Sequence, residues 1–175
     1  MDLDLERIIE LLSYTIPSIV TGFVAYYFFV NHTRNEERKL KLSVLKENQK
    51  HSLPLKLQAY ERMTLFLERI NPSKLLLRVT SVNNDKNAYV QSLVNTIDQE
   101  FEHNLTQQIY ISDECWSVVI AAKNATLHLI KKTAEDSSVS TAENLREEVL
   151  KKVLDVGLPS TAALSYIKNE VKEII

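Results

Sequence analysis

Residues 11–30 read LLSYTIPSIVTGFVAYYFFV, which is a run of twenty residues without a formal charge. As a helix that rises about 1.5 Å per residue, this stretch is roughly 30 Å long, the thickness of the hydrocarbon core of a bilayer. Ten of its residues are Leu, Ile, Val or Phe. On the insertion scale these contribute about −3 to −6 kcal/mol, enough to offset Pro17, Gly22 and the hydroxyl groups. The stretch predicts a single transmembrane helix over residues 11–30.

The flanks of this stretch argue against a cleaved signal peptide and against a buried core helix. A signal peptide has a basic start, an apolar run of about 7–15 residues and a small-residue cleavage site. Residues 1–10 instead carry four acidic residues and one basic residue, and no small-x-small site follows residue 30. Four aromatic residues gather at one end of the stretch, residues 26–29, as they do at membrane interfaces. A retained span fits these flanks best.

The basic residues after the span predict its orientation. Residues 31–52 contain six Lys or Arg against three Glu, and the more basic flank of a span stays in the cytoplasm. We therefore expect a single-pass membrane protein with residues 1–10 as a short acidic tail outside and the C-terminal part in the cytoplasm. The basic residues nearest the bilayer are expected to attract anionic headgroups, by about 1 kcal/mol each. They are Arg34, Arg38, Lys39 and Lys41. An ordinary basic flank without a further role fits the same residues.

Small residues recur four apart within the span, as Ser18 with Gly22 and as Thr21 with Ala25. This spacing lets two membrane helices approach closely, so these four residues are candidates for helix packing in the bilayer. Because small residues are common in spans, the same spacing also arises without any pairing.

Composition predicts an all-α protein. Two glycines and four prolines in 175 residues leave few turns for a β fold. Residues 31–52 are expected to continue the span as a basic juxtamembrane helix that ends at Pro54, because the residue before a proline avoids helical angles. Residues 53–175 then form one cytoplasmic α-helical domain with 14 basic and 16 acidic residues, a balance that offers no basic field for nucleic acid. The single Cys115 excludes an internal disulfide.

Apolar residues at helical spacing predict a bundle of about five helices in this domain. The stripes fall in residues 55–70, 88–103, 113–132, 143–156 and 159–174. Leu145, Val149, Leu150, Val153 and Leu154 are expected to face inward in the fourth of these. Residues 107–111, which contain Ile-Tyr-Ile, are compatible with a strand, but without a clear partner strand they are predicted to form an extended connector.

Helix ends are predicted from capping residues. Ser73 is expected to cap a short helix and Ser112 a long one. The pattern Ser140-x-x-Glu143 is a capping box. Gly157 is expected to end the helix that this capping box begins, in a left-handed conformation.

One pattern hints at metal. Glu100 and His103 are three apart, a spacing that di-iron helical bundles use twice, together with two further glutamates. A second Glu-x-x-His is absent, so solvent-exposed side chains are the simpler interpretation.

Nucleophilic chemistry has little support in the sequence. Cys115 lies on an apolar stripe beside two acidic residues, which favours a small core residue over a reactive thiolate. There is no Gly-rich phosphate loop, no Gly-x-Ser-x-Gly and no Cys-x-x-Cys. We predict no catalytic residues and no cofactor.

The span, the basic flank and the run LTQQIYISDECWSVVIAAKNATLHLI at residues 105–130 together resemble an uncharacterised family of small single-span membrane proteins of Bacteroidetes-type bacteria. The resemblance implies a location in the bacterial inner membrane and no particular activity.

Three function classes stay open on the sequence. The leading hypothesis is a membrane-anchored interaction or scaffold protein, an accessory subunit of a larger inner-membrane complex. Its expected partners are the lipid bilayer and either other proteins or further copies of itself, without nucleic acid. The alternatives are a membrane-tethered enzyme or metal-binding bundle that uses Glu100 and His103, and a sensor of anionic lipid surfaces that uses the basic flank.

Overall fold

The computed structural model describes the backbone of residues 2–175, and the side-chain environments of residue 10 and residues 13–175. Within that part, the chain is all-helical and contains no strand, which confirms the predicted fold class. Met1 and the side chains of residues 2–9, most of the predicted acidic tail, lie outside the described residues.

The described chain forms six α-helices and one 3₁₀ helix. They are α1 (Asp2–Arg69), α2 (Pro72–Arg78), α3 (Lys86–Asn104), the 3₁₀ helix (Leu105–Ile109), α4 (Asp113–Ala134), α5 (Ala142–Val156) and α6 (Thr161–Ile174). The chain divides into two compact units, Met1–Ser52 and Leu53–Ile175. We call the second unit the body.

The predicted helix end at Pro54 is wrong, because α1 continues through it to Arg69. A proline inside a helix costs about 3 kcal/mol. The residues that follow Pro54 offset this cost by burying a long apolar stripe in the body. The stripe consists of Ala59, Tyr60, Met63, Phe66, Leu67 and Ile70. Each large side chain in it contributes about 1.5–3 kcal/mol on full burial, so tertiary packing outweighs the local penalty.

Helix α4 lies at the centre of the body and packs against α3, α5 and α6. Its buried residues repeat every three or four positions, and they are Cys115, Val119, Ala122, Thr126, Ile130 and Thr133. Helix α5 packs on α2, α3 and α4 and buries Leu145, Val149 and Val153. The inward placement of Leu150 and Leu154 is wrong: both are exposed, Leu154 by 84%. Helix α5 therefore buries a narrower stripe than the sequence pattern predicts.

The long helix α4 begins as predicted. The backbone N–H of Cys115 donates to Oγ of Ser112 at 3.0 Å, which confirms Ser112 as its cap. Gly157 ends α5 at the predicted position, with a positive φ of +92° that L side chains rarely adopt. Its ψ of 175° differs from the predicted left-handed helical conformation, because the chain leaves the helix in an extended direction.

Two other predicted caps are displaced. Asn71 rather than Ser73 caps α2, and its side chain accepts from the N–H of Ser73 at 3.0 Å. This start places Pro72 in the first turn, where its missing N–H costs nothing. Thr141 rather than Ser140 caps α5, with its Oγ1 accepting from the N–H of Asn144 at 3.2 Å.

The extended connector predicted at residues 107–111 is wrong in its first half. Residues Leu105–Ile109 form a 3₁₀ helix that follows directly on α3. The tighter turn gives a backbone carbonyl at the end of α3 a hydrogen-bond donor, because the N–H of Leu105 donates to the carbonyl of Glu102. Such 3₁₀ turns are frequent at helix C-termini, and they leave little trace in the apolar pattern.

Candidate functional site

The apolar part of α1 is uncovered. Among the described residues, one helix is long and apolar enough to cross a membrane, and no residue of its most apolar 18-residue window is buried. Phe23 and Phe28, for example, are 73% and 74% exposed. Apolar surface costs about 25 cal/mol per Å² when it faces water, so this contiguous uncovered stretch is a candidate for contact with another apolar surface.

The hydroxyl groups in this stretch bond within their own helix. Ser18 Oγ donates to the carbonyl of Tyr14 at 2.9 Å, and Thr21 Oγ1 donates to the carbonyl of Pro17 at 2.8 Å. Polar groups that are satisfied in this way are compatible with a hydrocarbon environment, where water offers no partner.

The candidate helix-packing residues share one side of α1. Ser18, Thr21, Gly22 and Ala25 follow one another at intervals of three, one and three residues and are all exposed. A Cβ built on Gly22 would meet nothing within 4 Å. The structure thus brings these four residues together on one uncovered side, where backbones of two helices can approach closely.

The four basic residues predicted to contact headgroups are exposed on α1. Spacings of four and three place Arg34, Arg38 and Lys41 on one side of the helix. Lys39 has a carboxylate partner, since its Nζ lies 2.9 Å from Oε1 of Glu36. The hydrogen bond from Lys39, and then its charge, lowers the pKa of Glu36.

Glu100, the first residue of the candidate metal pair, binds two arginines instead. Its Oε2 lies 3.2 Å from Nη1 of Arg69, and its Oε1 lies 3.3 Å from Nη2 of Arg78. The carboxylate, 17% exposed, therefore links the end of α1 and the end of α2 to α3. Both of its oxygens are engaged in ion pairs.

His103, the second residue of that pair, is exposed at the end of α3. Its Nδ1 lies 2.7 Å from the carbonyl of Gln99 in the same helix. Glu100 and His103 both line a cavity of about 330 Å³. No group of three His, Cys, Asp or Glu side chains that could hold a metal ion occurs among the described residues.

Cys115 belongs to a buried polar cluster that sequence reasoning missed. The cluster consists of Cys115 on α4, Tyr60 on α1 and Glu170 on α6. Burial, and then the negative charge of Glu170, raises the pKa of the Cys115 thiol to about 12. Burial, and then its hydrogen bond to Glu170, raises the pKa of the Tyr60 hydroxyl. At neutral pH the thiol keeps its proton, and a protonated thiol is a poor nucleophile and metal ligand.

A second cavity, of about 560 Å³, lies between α4 and the turn that joins α5 to α6. We call it the α4–α5 cavity. Its wall includes apolar residues from three segments, Ala125, Leu129, Val156, Leu158 and Pro159, and the basic residues Lys132 and Lys152. Sequence reasoning missed it, because only the Gly157-Leu158-Pro159 turn and the nearby Lys152 are neighbours in the sequence, whereas Lys132 joins them through the packing of α4.

The comparisons with known proteins identify the family. The model of a family of unknown function, DUF7935, matches residues 6–174. The chain belongs to this family. The match covers both the apolar helix and the body, so the DUF7935 model describes the two parts together. Comparison of the chain with curated proteins gave no match. Comparison with solved structures gave none either.

The described part of this DUF7935 chain therefore offers an uncovered apolar stretch in α1, the cluster of Tyr60, Cys115 and Glu170, and cavities that include the two described above. The predicted assignment to an uncharacterised family is confirmed. The predicted helix-packing and headgroup residues lie at the surface of α1, and the candidate metal residue Glu100 is engaged by arginines.

Proposed function

We propose that this DUF7935 chain is a membrane-anchored helical interaction protein, an accessory subunit or scaffold of a larger complex in the inner membrane of a Bacteroidetes-type bacterium. The observation that supports it is the uncovered apolar window of α1. The body buries a core of its own residues, so it does not need the apolar window in order to fold. The window is therefore free to insert into a bilayer.

The charges beside the window support a single orientation. The six basic residues of residues 31–52 would keep the body in the cytoplasm, and Arg34, Arg38 and Lys41 would lie near anionic headgroups. Residues 1–10 would lie outside.

An exposed apolar patch on the body supports contact with a protein partner. Leu105, Ile109 and Tyr110 are exposed within and beside the 3₁₀ helix, Ile109 by 72%. Apolar side chains that are close together on a surface mark interaction sites more often than isolated ones do.

Membrane extraction tests the anchor. After a carbonate wash and centrifugation, the full-length chain is expected in the membrane pellet and in the detergent extract of that pellet. A chain that stays in the supernatant contradicts the proposal. Protease added to intact spheroplasts is expected to leave a C-terminal tag on the body uncut, and cleavage of the tag contradicts the orientation.

Cross-linking in intact cells, followed by purification in mild detergent and mass spectrometry, tests the interaction. We expect a stoichiometric partner or a homo-oligomer. The Ile109→Lys variant is expected to lower its recovery, because it places a charge in the apolar patch. The matched control is Val82→Lys, at a position that is 93% exposed and outside the patch. A chain that is always monomeric and alone contradicts this part of the proposal.

A further inference from the structure

The α4–α5 cavity combines an apolar wall with positive charge. Leu129 on α4, Val156 at the end of α5, and Leu158 and Pro159 in the following turn supply the apolar surface. A volume of about 560 Å³ lies in the range of small-molecule sites, which are mostly apolar and carry a few polar groups that orient the ligand.

The positive groups at the cavity are free of close partners. Lys132 and Lys152 make no ion pair within 4.0 Å with any described side chain, whereas the neighbouring Lys151 pairs with Glu148 at 3.2 Å. The charge of Lys152 also acts on the carboxylate of Asp136. The Asp136 carboxylate accepts hydrogen bonds from the backbone N–H and the hydroxyl of Ser138. These bonds, the backbone one first, lower the pKa of Asp136 more than the charge of Lys152 does.

We propose that the α4–α5 cavity binds an amphiphilic anion with one alkyl chain. The chain lies against Leu129, Val156 and Leu158, and the anionic headgroup is bound by the ammonium groups of Lys132 and Lys152. Charge complementarity selects this ligand: an uncharged alkyl ligand would leave two lysines unpaired, and a cationic amphiphile would be repelled.

Several features of the cavity agree with such a ligand. Thr133 Oγ1 already donates to the carbonyl of Leu129 at 2.7 Å, so the α4 side of the wall presents no unsatisfied hydroxyl there. A Cβ built on Gly157 would meet nothing within 4 Å, so the turn is open at this lining residue of the cavity. His128 lies at the same wall and adds a ring nitrogen for hydrogen bonding.

Photo-cross-linking of the full-length chain in phosphatidylcholine nanodiscs tests the proposal. The probe is dodecanoate that carries a diazirine on its alkyl chain. Mass spectrometry is expected to find labelled residues in segments 125–133 and 152–159. Unmodified dodecanoate is expected to compete with the probe, and dodecanol and dodecyltrimethylammonium are expected not to compete.

Two double variants and one single variant complete the test. Lys132→Gln with Lys152→Gln is expected to lower labelling of these segments on the order of tenfold, because the two ammonium groups that bind the anionic headgroup are removed. The matched control, Lys131→Gln with Lys151→Gln, removes two charges from the same helix ends outside the cavity and is expected to label like the wild type. Ala125→Phe, at an exposed position on the cavity wall, is expected to fill the cavity and also abolish labelling.

Three results would overturn the proposal. They are the absence of labelling in both segments, competition by dodecanol equal to that by dodecanoate, and an equal loss of labelling in the control pair. Trp116 fluorescence, measured for every variant, shows that the body is folded, so a loss of labelling in a folded variant reports on the cavity.

Discussion

At the scale of single residues, the cluster of Tyr60, Cys115 and Glu170 makes the stability of the body depend on pH. The pKa of Cys115 rises from 9.0 to about 12 on folding. Above about pH 9, the unfolded chain releases the thiol proton and the folded chain keeps it. The unfolded state then binds fewer protons, so the free energy of unfolding falls as the pH rises, by up to about 1.4 kcal/mol per pH unit.

Denaturation of the full chain in detergent at pH 7, 9 and 10, followed by Trp116 fluorescence, measures this effect. The free energy of unfolding is expected to be constant up to about pH 9 and to fall between pH 9 and 10. In a Cys115→Ala variant the fall over this interval is expected to be smaller, because no thiol titrates. Equal slopes in the two proteins would show that Cys115 does not contribute.

Glu100 is a second residue whose role is testable by itself. Its carboxylate joins Arg69 and Arg78, and the two guanidinium groups are 48% and 37% exposed. Because both arginines remain partly solvated, Glu100→Gln is expected to lower the free energy of unfolding by only about 1–2 kcal/mol. Glu102→Gln, on the exposed side of the same helix, is the control and is expected to change it by less than about 0.5 kcal/mol. If the control loses as much as Glu100→Gln, the ion pairs are not the cause.

At the scale of helices, the sequence predicted which faces are buried better than it predicted where helices end. The apolar residues on α1 and α4 repeat every three or four positions, and these are the residues that are buried in the core of the body. Helix ends depend on competition between neighbouring residues. Ser140 and Thr141 are both suitable capping residues. As a cap, Ser140 would accept a hydrogen bond from the N–H of Glu143. That N–H instead donates to Oδ1 of Asn84 in a distant loop, at 3.2 Å, and Thr141 is the cap.

The same reasoning explains what the sequence could not show of the sites. The partners of Glu100 lie on α1 and α2, and the walls of the α4–α5 cavity come from two helices and a turn. These residues become neighbours only when the helices pack against each other, so their spacing along the chain does not predict the contacts. The uncovered apolar stretch of α1 was visible in the sequence because its signal is local and lies within one helix.

The displaced cap of α5 gives a prediction at this scale. Thr141→Ala is expected to lower the free energy of unfolding by about 1 kcal/mol, because the N–H of Asn144 loses its acceptor. Ser140→Ala, one residue earlier, removes a contact to the Asn144 side chain of 3.4 Å and is expected to cost less than about 0.5 kcal/mol. Thermal denaturation of both variants compares them, and a larger loss for Ser140→Ala would restore the capping box predicted from the sequence.

At the scale of the whole molecule, a charged substitution in the apolar window of α1 is expected to change membrane insertion and to leave the stability of the body unchanged. Val20 and Val24 are exposed near the middle of the window. If the helix crosses a bilayer, Lys at both positions adds about 5–7 kcal/mol to the cost of insertion, which offsets most or all of the gain of about 3–6 kcal/mol from the apolar residues of the span. The Val20→Lys, Val24→Lys chain is therefore expected to move from the carbonate-washed membrane pellet to the supernatant.

The body should not respond to this change, because it buries its own core in residues 53–175. Trp116 fluorescence and the free energy of unfolding of the released chain are expected to match those of the wild type. The control is Val20→Leu with Val24→Leu, which keeps the window apolar and is expected to stay in the pellet. If the lysine variant also stays there, the chain is held at the membrane by something other than α1. If it leaves the pellet unfolded, the apolar helix supports the body, and anchoring and folding are not the separate properties that the two compact units imply.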